Sequence, residues 1–327
     1  TPKRSNMRRI IVNSSEDQKR IDRFLTDRFA GVPASAFFKA FRKRNIRVNG
    51  KRVGNDFRVH TGDIVEIFIP DEYLNPIVRD DPKDRIEILY EDEHIMVVSK
   101  PQGIPVHQDS NREEMVLDQY LQAMAAERQD GRALKPGFPA LCHRIDRNTG
   151  GLVILAKDDR TLEVMKDKFK GHEIKKFYLA CTYGIPGEKE AECEAYLKKD
   201  AEESRVKIFD RPVAGSARIV TRFRILKAAY PYALLEVELV TGKTHQIRAH
   251  LAWLGYPILG DGKYGINEIN RSLRLKMQAL FHYRLKFDFK KPGTHLDYLN
   301  GLVIALPSVR WEEGIKGTGL IGKDLFE

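Results

Sequence analysis

Residues 18–30 place Ile21, Phe24, Leu25 and Phe29 at helical spacing, with Lys19, Arg20, Arg23 and Arg28 on the rest of the turn, which predicts a short amphipathic helix. After Gly31-Val32-Pro33, Ser35 is placed to cap a second helix with Phe37, Phe38 and Phe41 on its apolar side. Lys39, Arg42 and Lys43 fall at i, i+3 and i+4, so they share a face of that helix. Ile46-Arg47-Val48 then alternates into Asn49-Gly50, a strong hairpin signal, and Lys51-Arg52-Val53 leads away from it. Thr61-Gly62-Asp63 reads as a turn and Ile64 to Ile69 as an apolar strand.

Beyond this point the pattern changes. Residues 71–85 carry Asp71, Glu72, Asp80, Asp81 and Asp84 around Pro70, Pro76 and Pro82, the composition of an exposed linker. From Ile86 onward, strands are predicted at 86–90, 95–98, 152–156, 177–182, 219–226 and 234–240. Helices are predicted around 113–127, at 159–170 and at 244–254, the last with Thr244 as N-cap and Gly255 as its stop. Strands and helices without a regular βαβ rhythm imply an α+β fold with a mostly antiparallel mixed sheet. The expected organisation is a tail over 1–17, a small domain over 18–70, a linker over 71–85 and a large domain over 86–327.

With 327 residues, 42% hydrophobic and 31% charged, the chain can bury a full core. No apolar run approaches the roughly 18 residues of a membrane span, so a soluble protein with no membrane partner is expected. Cys142, Cys181 and Cys193 form no C-x-x-C pair, which argues against a zinc site or a disulfide framework. The N-terminus through Met7 is polar and basic, unlike a signal peptide, and the default location is the cytoplasm. The formal charge is +10, and its distribution is uneven. Residues 1–70 hold 16 Lys/Arg against 7 Asp/Glu, and the remainder holds 40 against 39. A basic module joined to a nearly neutral body reads as a nucleic-acid grip, with Lys39, Arg42, Lys43, Arg44, Arg47 and Lys51 as candidate phosphate contacts. The competing reading is a solvated basic surface.

Three segments of the large domain concentrate chemistry. In 141–157, a loop with His143, Arg144, Asp146 and Arg147 runs through Gly150-Gly151 into an apolar strand, which can hold one carboxylate at a core rim between arginines. In 240–250, Gly242, Lys243, Thr244, His245 and Arg248 open a helix that can offer an arginine to an anion. His245 and His250 lack the carboxylate of an H-E-x-x-H zinc pattern, so no metal is expected. In 176–180, alternation puts Lys176, Tyr178 and Ala180 on one strand face, leaving Tyr178 either in a cleft or in the core.

Together these segments resemble the RluA-type pseudouridine synthases. His143-Arg144-Ile145-Asp146 with Thr149-Gly150-Gly151-Leu152 is similar to the family's H-R-L-D-x-x-T-S-G-L signature. Lys176-x-Tyr178-x-Ala180 matches the motif that follows, and Thr241 to Arg248 resembles T-G-R-T-H-Q-I-R. Supporting stretches are Tyr90 to His94, Lys100-Pro101-x-Gly103, Pro257 to Asp261 with Tyr264-Gly265, and Gln278 to His282. Ile145, Gly150 and Lys243 depart from the family's usual Leu, Ser and Arg, all beside the expected catalytic positions. Residues 18–69 resemble an S-four-like RNA-binding module of α/β type, as found in front of synthases that modify large-subunit ribosomal RNA.

The resemblance implies a cofactor-independent isomerase that flips a uridine out of RNA, with large-subunit ribosomal RNA as the favoured partner and transfer RNA as the alternative. A monomer is the default. Asp146 is the implied essential carboxylate, attacking the base or the anomeric carbon or removing a ribose proton; the sequence does not choose among these. Arg248 would hold it through a charge-assisted, bidentate contact. Tyr178 would stack on the flipped uracil and assist the carbon-5 proton, with Ile247 as the opposite wall. Arg144 would fill the space the nucleotide leaves, and His143 and Lys243 would border the substrate. Two other classes remain in view: a non-catalytic RNA-binding assembly factor, against which the Asp146, Tyr178 and Arg248 set counts, and an RNA glycosidase, which mass spectrometry separates because isomerisation leaves RNA mass unchanged.

Overall fold

A computed structural model describes residues 7–13, 16–29, 34–68, 86–106, 115–127, 135–200 and 205–321. The chain divides into two units, Thr1–Asp81 and Pro82–Glu327. The first contains β1 (Met7–Ile11), α1 (Ile21–Arg28), α2 (Ala34–Arg42), β2 (Ile46–Val48), β3 (Lys51–Arg52) and β4 (Ile64–Phe68). Its sheet runs β1-β4-β2-β3, antiparallel throughout. The hairpin between β2 and β3 turns on Asn49 and Gly50, both at positive φ (50° and 77°), as a type I′ turn requires. Asn49 secures the turn by accepting the Ile64 N–H on Oδ1 at 2.9 Å.

The core of this unit is Ile21, Phe24, Leu25, Phe29, Phe37, Ile46, Val48, Val65 and Ile67, all nearly inaccessible. Each buried side chain of this size contributes roughly 1.5–3 kcal/mol of transfer free energy, so the unit has an apolar core of its own. Two expectations change. β1 lies within residues 1–17 and pairs along its whole length with β4, so this stretch joins the sheet instead of trailing from it. Its pattern, two isoleucines after a basic run, is too short to announce a strand. In α2, which already begins at Ala34, Phe37 is buried while Phe38 is 46% exposed, so the apolar stripe is narrower than the run of phenylalanines suggests. The predicted linker, 71–85, lies outside the described residues.

The second unit contains, in order, β5 (Glu87–Glu91), β6 (Ile95–Lys100), α3 (Leu117–Glu127), β7 (Ala140–Leu141), β8 (Gly150–Ala156), α4 (Asp159–Lys170), β9 (Ile174–Tyr183), β10 (Glu190–Asp200) and β11 (Arg205–Phe209). It continues with β12 (Ala217–Ala229), β13 (Tyr232–Leu239), α5 (Gln246–Trp253), α6 (Asn267–Ser272), β14 (Leu280–Phe287), β15 (Val303–Ala305) and α7 (Glu313–Lys316). Nine strands form a path β11-β10-β12-β13-β9-β14-β8-β6-β5, with β15 on β14 and β7 on β8. Among the described residues only β8 and β14 pair in parallel, so the mixed, mostly antiparallel α+β sheet expected from the pattern is present. α4 starts at its predicted position because Asp158 accepts the Thr161 N–H at 2.8 Å.

β8 is buried at all seven positions. Leu152, Ile154 and Ala156 pack into one cluster and Val153 and Leu155 into another, so both faces of the strand are covered and its apolar run is uninterrupted. At its start the backbone meets β14 closely. A Cβ on Gly151 (φ 111°) would sit 2.1 Å from the His282 carbonyl oxygen, and one on Gly150 would strike the Phe281 ring. Glycines are required where the 143–149 loop enters the sheet.

Candidate active site

The loop carrying Asp146 is held through its backbone. Thr149 N–H donates to the Asp146 carbonyl at 3.0 Å, and Gly103 N–H donates to the Arg147 carbonyl at 2.9 Å. The Arg147 carbonyl also accepts from Lys100 Nζ at 2.9 Å, and Gln102 Nε2 donates to the Asn148 carbonyl at 2.8 Å. Lys100 is almost wholly buried and gives its other two protons to the carbonyls of Pro101 and Ile104. Burial pushes its pKa down to about 7, with the Asp146 charge acting in the opposite direction. Gln278 Nε2 braces Thr149 Oγ1 at 2.6 Å. The loop is braced at several backbone positions, and it presents the Asp146 side chain, 26% exposed.

Facing it is the start of α5. The helix begins at Gln246, two residues later than the predicted Thr244 cap, and is entered through His245 in the left-handed region at φ 54°. The buried Gln246 amide accounts for the shift. Its Oε1 accepts from Lys243 N–H at 3.1 Å and Thr241 Oγ1 at 2.9 Å, while Nε2 donates to the Val220 carbonyl and Thr221 Oγ1, tying the turn to β12. Two residues on, Arg248 Nη1 donates to Asp146 Oδ2 at 2.7 Å. The bidentate contact expected for this pair goes instead to Asp261, whose Oδ2 and Oδ1 receive Arg248 Nε at 2.6 Å and Nη2 at 3.0 Å. A fork with two adjacent nitrogens on Asp261 leaves only Nη1 for Asp146.

Asp261 is fully buried and also accepts the N–H groups of Lys263 and Tyr264 on Oδ1. Burial alone would raise its pKa, but the Arg248 guanidinium and these N–H groups more than offset this and hold it below the usual carboxylate range. Burial likewise opposes the charge on Arg248, and the pairs with Asp261 and then Asp146 overcome it, so its pKa is raised. His245 Nδ1 lies 2.9 Å from the Tyr264 hydroxyl and its Nε2 is 4.0 Å from Asp146 Oδ2. Both side-chain neighbours of Asp146 therefore address Oδ2, and Oδ1 makes no hydrogen bond with a described residue.

Tyr178, on β9, is 4% exposed and lines the same cleft as Arg144, Ile145, Asp146, Lys243 and Ile247. One face of its ring stacks on His282, with centroids 4.6 Å apart and planes 16° from parallel. His282 is held by its Nδ1, which donates to the Leu152 carbonyl at 2.7 Å; burial keeps the ring neutral, with a pKa lowered to about 3. Burial, and then the Asp146 charge, raise the pKa of the Tyr178 phenol, so it stays protonated. An ionisable carboxylate and a protonated phenol on a braced ring thus share one cleft.

The structure brings together Asp146, Tyr178, Arg248, Arg144, Ile247 and Lys243, and sets His143 apart. Its Nε2 accepts the Ile154 N–H at 3.1 Å, and its ring packs against Phe169 and His282. Burial, followed by the charges of His282 and Lys176, depresses its pKa and leaves a neutral acceptor. In the structure His143 serves as a support between loop and strand. Asp261, His282, Lys100 and Gln246 are supports that had no assigned role in the sequence reading, although all four sit in stretches that match the family. In the first unit Lys39, Arg42, Lys43, Arg44 and Lys51 are exposed and make no ion pair with a described residue. Arg47 is half-buried over the Phe68 ring, 5.3 Å from its centroid. Among the described residues no helix is long and apolar enough to cross a membrane.

The cleft thus sets a carboxylate held by an arginine beside a protonated tyrosine whose ring is braced from behind. The chain matches the model for RNA pseudouridylate synthases over residues 94–253. It is 32% identical to the ribosomal large subunit pseudouridine synthase C of Escherichia coli (strain K12) over 299 residues, 87% of this chain and 89% of that one. It is 28% identical to the RNA pseudouridine synthase YlyB of Bacillus subtilis (strain 168), covering 89% and 94%. The fold matches the human RNA pseudouridylate synthase domain containing 1, with a TM-score of 0.54, 21% identity, and coverage of 69% of this chain and 84% of that one. The chain belongs to the RNA pseudouridylate synthase family and isomerises uridine in RNA to pseudouridine.

Proposed function

We propose that this synthase acts on large-subunit ribosomal RNA, with Asp146 as its essential carboxylate, Arg248 as the group that holds it, and Tyr178 as the stacking plane for the flipped uracil. The observation that carries the site assignment is the 2.7 Å contact from Arg248 Nη1 to Asp146 Oδ2 in the cleft that Tyr178 lines. With Oδ2 engaged, Oδ1 is the oxygen available to the substrate. The reaction breaks the bond from uracil N1 to C1′ of ribose, rotates the base and forms a bond from C5 to C1′; C5 gives up its proton and N1 gains one. Asp146 enters this sequence at the base, at C1′ or at a ribose proton. Tyr178, protonated and 4% exposed, can stack on the ring and lies beside the route of the C5 proton.

Arg144, exposed at the cleft rim, is assigned to the space the nucleotide vacates, and Ile247 and Lys243 to the opposite wall. The ribosomal assignment is supported by the name of the E. coli relative, which spans most of both chains. The first unit is read as an S-four-like grip on RNA phosphates through Lys39, Arg42, Lys43, Arg44, Arg47 and Lys51. The enzyme is read as a cytoplasmic monomer, since Asp146, Tyr178 and Arg248 of one chain already complete the set. The test is Asp146→Asn assayed for tritium release from [5-³H]uridine-labelled ribosomal RNA. RNA binding is retained and release falls below detection; turnover by the variant would sink the assignment.

A further inference from the structure

Beside the reaction cleft lies a second cavity of about 580 Å³, bordered by Arg248, Asn148, Gly262, Lys263, Arg271 and Lys276 among others. The two hollows meet at Arg248, which lines both. The larger one is cationic: among the described residues its lining includes Arg248, Lys263, Arg271 and Lys276, four amide side chains and no carboxylate. Leu275 is the one aliphatic side chain among them, whereas small-molecule pockets are predominantly apolar with few polar groups. Lys276 makes no ion pair with a described residue, and Arg271 pairs only with Glu268, at 3.0 Å between side chains about three-quarters exposed. Such exposed pairs are worth at most about 1 kcal/mol, so the arginine can exchange partners cheaply.

The wall of this cavity is fixed relative to Asp146. Asp261 joins Arg248 to the N–H groups of Lys263 and Tyr264, and Asn270 bridges the same turn, accepting Gly260 N–H at 2.7 Å and donating to the Asp261 carbonyl at 3.1 Å. A Cβ on Gly260 would lie 2.0 Å from the Met277 carbonyl oxygen, so the turn at Gly260 seats directly on the segment that leads into β14. The network Asp146–Arg248–Asp261–Asn270 therefore sets a cationic hollow at a constant offset from the reacting carboxylate.

We propose that this cavity is a subsite for the phosphodiester backbone flanking the target uridine, with Lys263, Arg271 and Lys276 as its phosphate contacts. The proposal rests on the pseudouridine synthase reading of the adjoining cleft. A uridine extruded beside Asp146 stays covalently tied to its neighbours, so its backbone must leave the cleft along a surface that accepts successive negative charges. Unstacking the base costs a few kcal/mol, and phosphate contacts at this wall supply binding energy close to the point where that cost arises. The subsite would fix which nucleotide reaches Asp146 by fixing the backbone next to it.

The test is the full-length double variant Arg271→Gln/Lys276→Gln, using an in vitro transcript of large-subunit ribosomal RNA. Filter binding across a salt series should show a slope of log K against log salt flatter by about 1.4, two contacts at roughly 0.7 each for single-stranded RNA. In tritium release, KM should rise at least about tenfold, with turnover at saturating RNA falling by less than KM rises. An unchanged salt slope overturns the subsite whatever happens to turnover. If the parent enzyme binds the transcript but releases no tritium from it, the ribosomal reading fails, while the slope comparison still decides the cavity's part in binding RNA.

Discussion

The charged groups of the two units work under opposite conditions. In the first unit Lys39, Arg42, Lys43 and Arg44 are exposed and make no ion pair with a described residue; at the cleft Arg248 is nearly buried and has a partner at every nitrogen. Exposed charges act over a Debye length of about 8 Å at physiological salt and respond to ionic strength. A buried, forked contact is little screened and gains geometric definition instead. One set, as proposed, draws in an anionic polymer with little demand on position, and the other holds one oxygen of Asp146 within a hydrogen-bond length. The first should fail gradually as charges are removed, the second abruptly.

The largest effect that tests this contrast is at Arg248. Arg248→Gln leaves Asp261 buried without its cation, which costs about 3–5 kcal/mol of stability. Arg248→Lys keeps the charge but not the fork, so turnover should drop by about two orders of magnitude even where the protein folds. Near-normal turnover in the lysine variant would mean that charge alone suffices. Asp261 adds a pH signature. Its pKa is lowered in the folded state, so its stabilisation is complete above the unfolded value near 4 and is lost as pH falls through the folded value. Asp261→Asn should flatten the decline in Tm in that acid range; parallel profiles would remove Asp261 from the acid response.

Deleting residues 1–70 probes the other side. If its six candidate cations each meet a phosphate, the salt slope of RNA binding flattens by roughly 4. An unaltered slope would confine the grip to the second unit. Tyr178→Phe separates stacking from proton handling: the ring remains, and loss of the hydroxyl should lower turnover about a hundredfold if it moves a proton. Wild-type turnover would leave Tyr178 as a stacking plane alone. The smallest expected effect is Arg42→Gln, a change of about 0.7 in salt slope with no change in unfolding free energy beyond roughly 0.5 kcal/mol.

Much of this was legible in the sequence because the signals were local. The hairpin at Asn49-Gly50, the helix at 159–170 and the loop running from Asp146 into an apolar strand each carry their cause within a few residues. The harder features depend on distant partners. β10 alternates Glu190, Glu192 and Glu194 with smaller residues, a period-two signal that charge obscures; in the sheet those last two glutamates meet Arg222 and Arg218 across from β12. That Asp261, 13 residues from Arg248, takes the fork could not be read from spacing, nor could the stacking of His282 behind Tyr178, 104 positions away. The place of His143 was hidden for the same reason: its ring nitrogen accepts the Ile154 N–H, a contact with a strand position 11 residues on.

The 102-residue separation of Asp146 from Arg248 has a consequence for the timing of synthesis. The first unit has its core complete by Ile67, while the cleft also needs His282 behind Tyr178. At the usual 5–20 residues per second of translation, roughly 10–40 seconds pass between these points. With the first unit acting as the proposed RNA grip, a nascent chain would hold RNA well before it could alter it, and chains arrested short of residue 250 should bind RNA yet release no tritium.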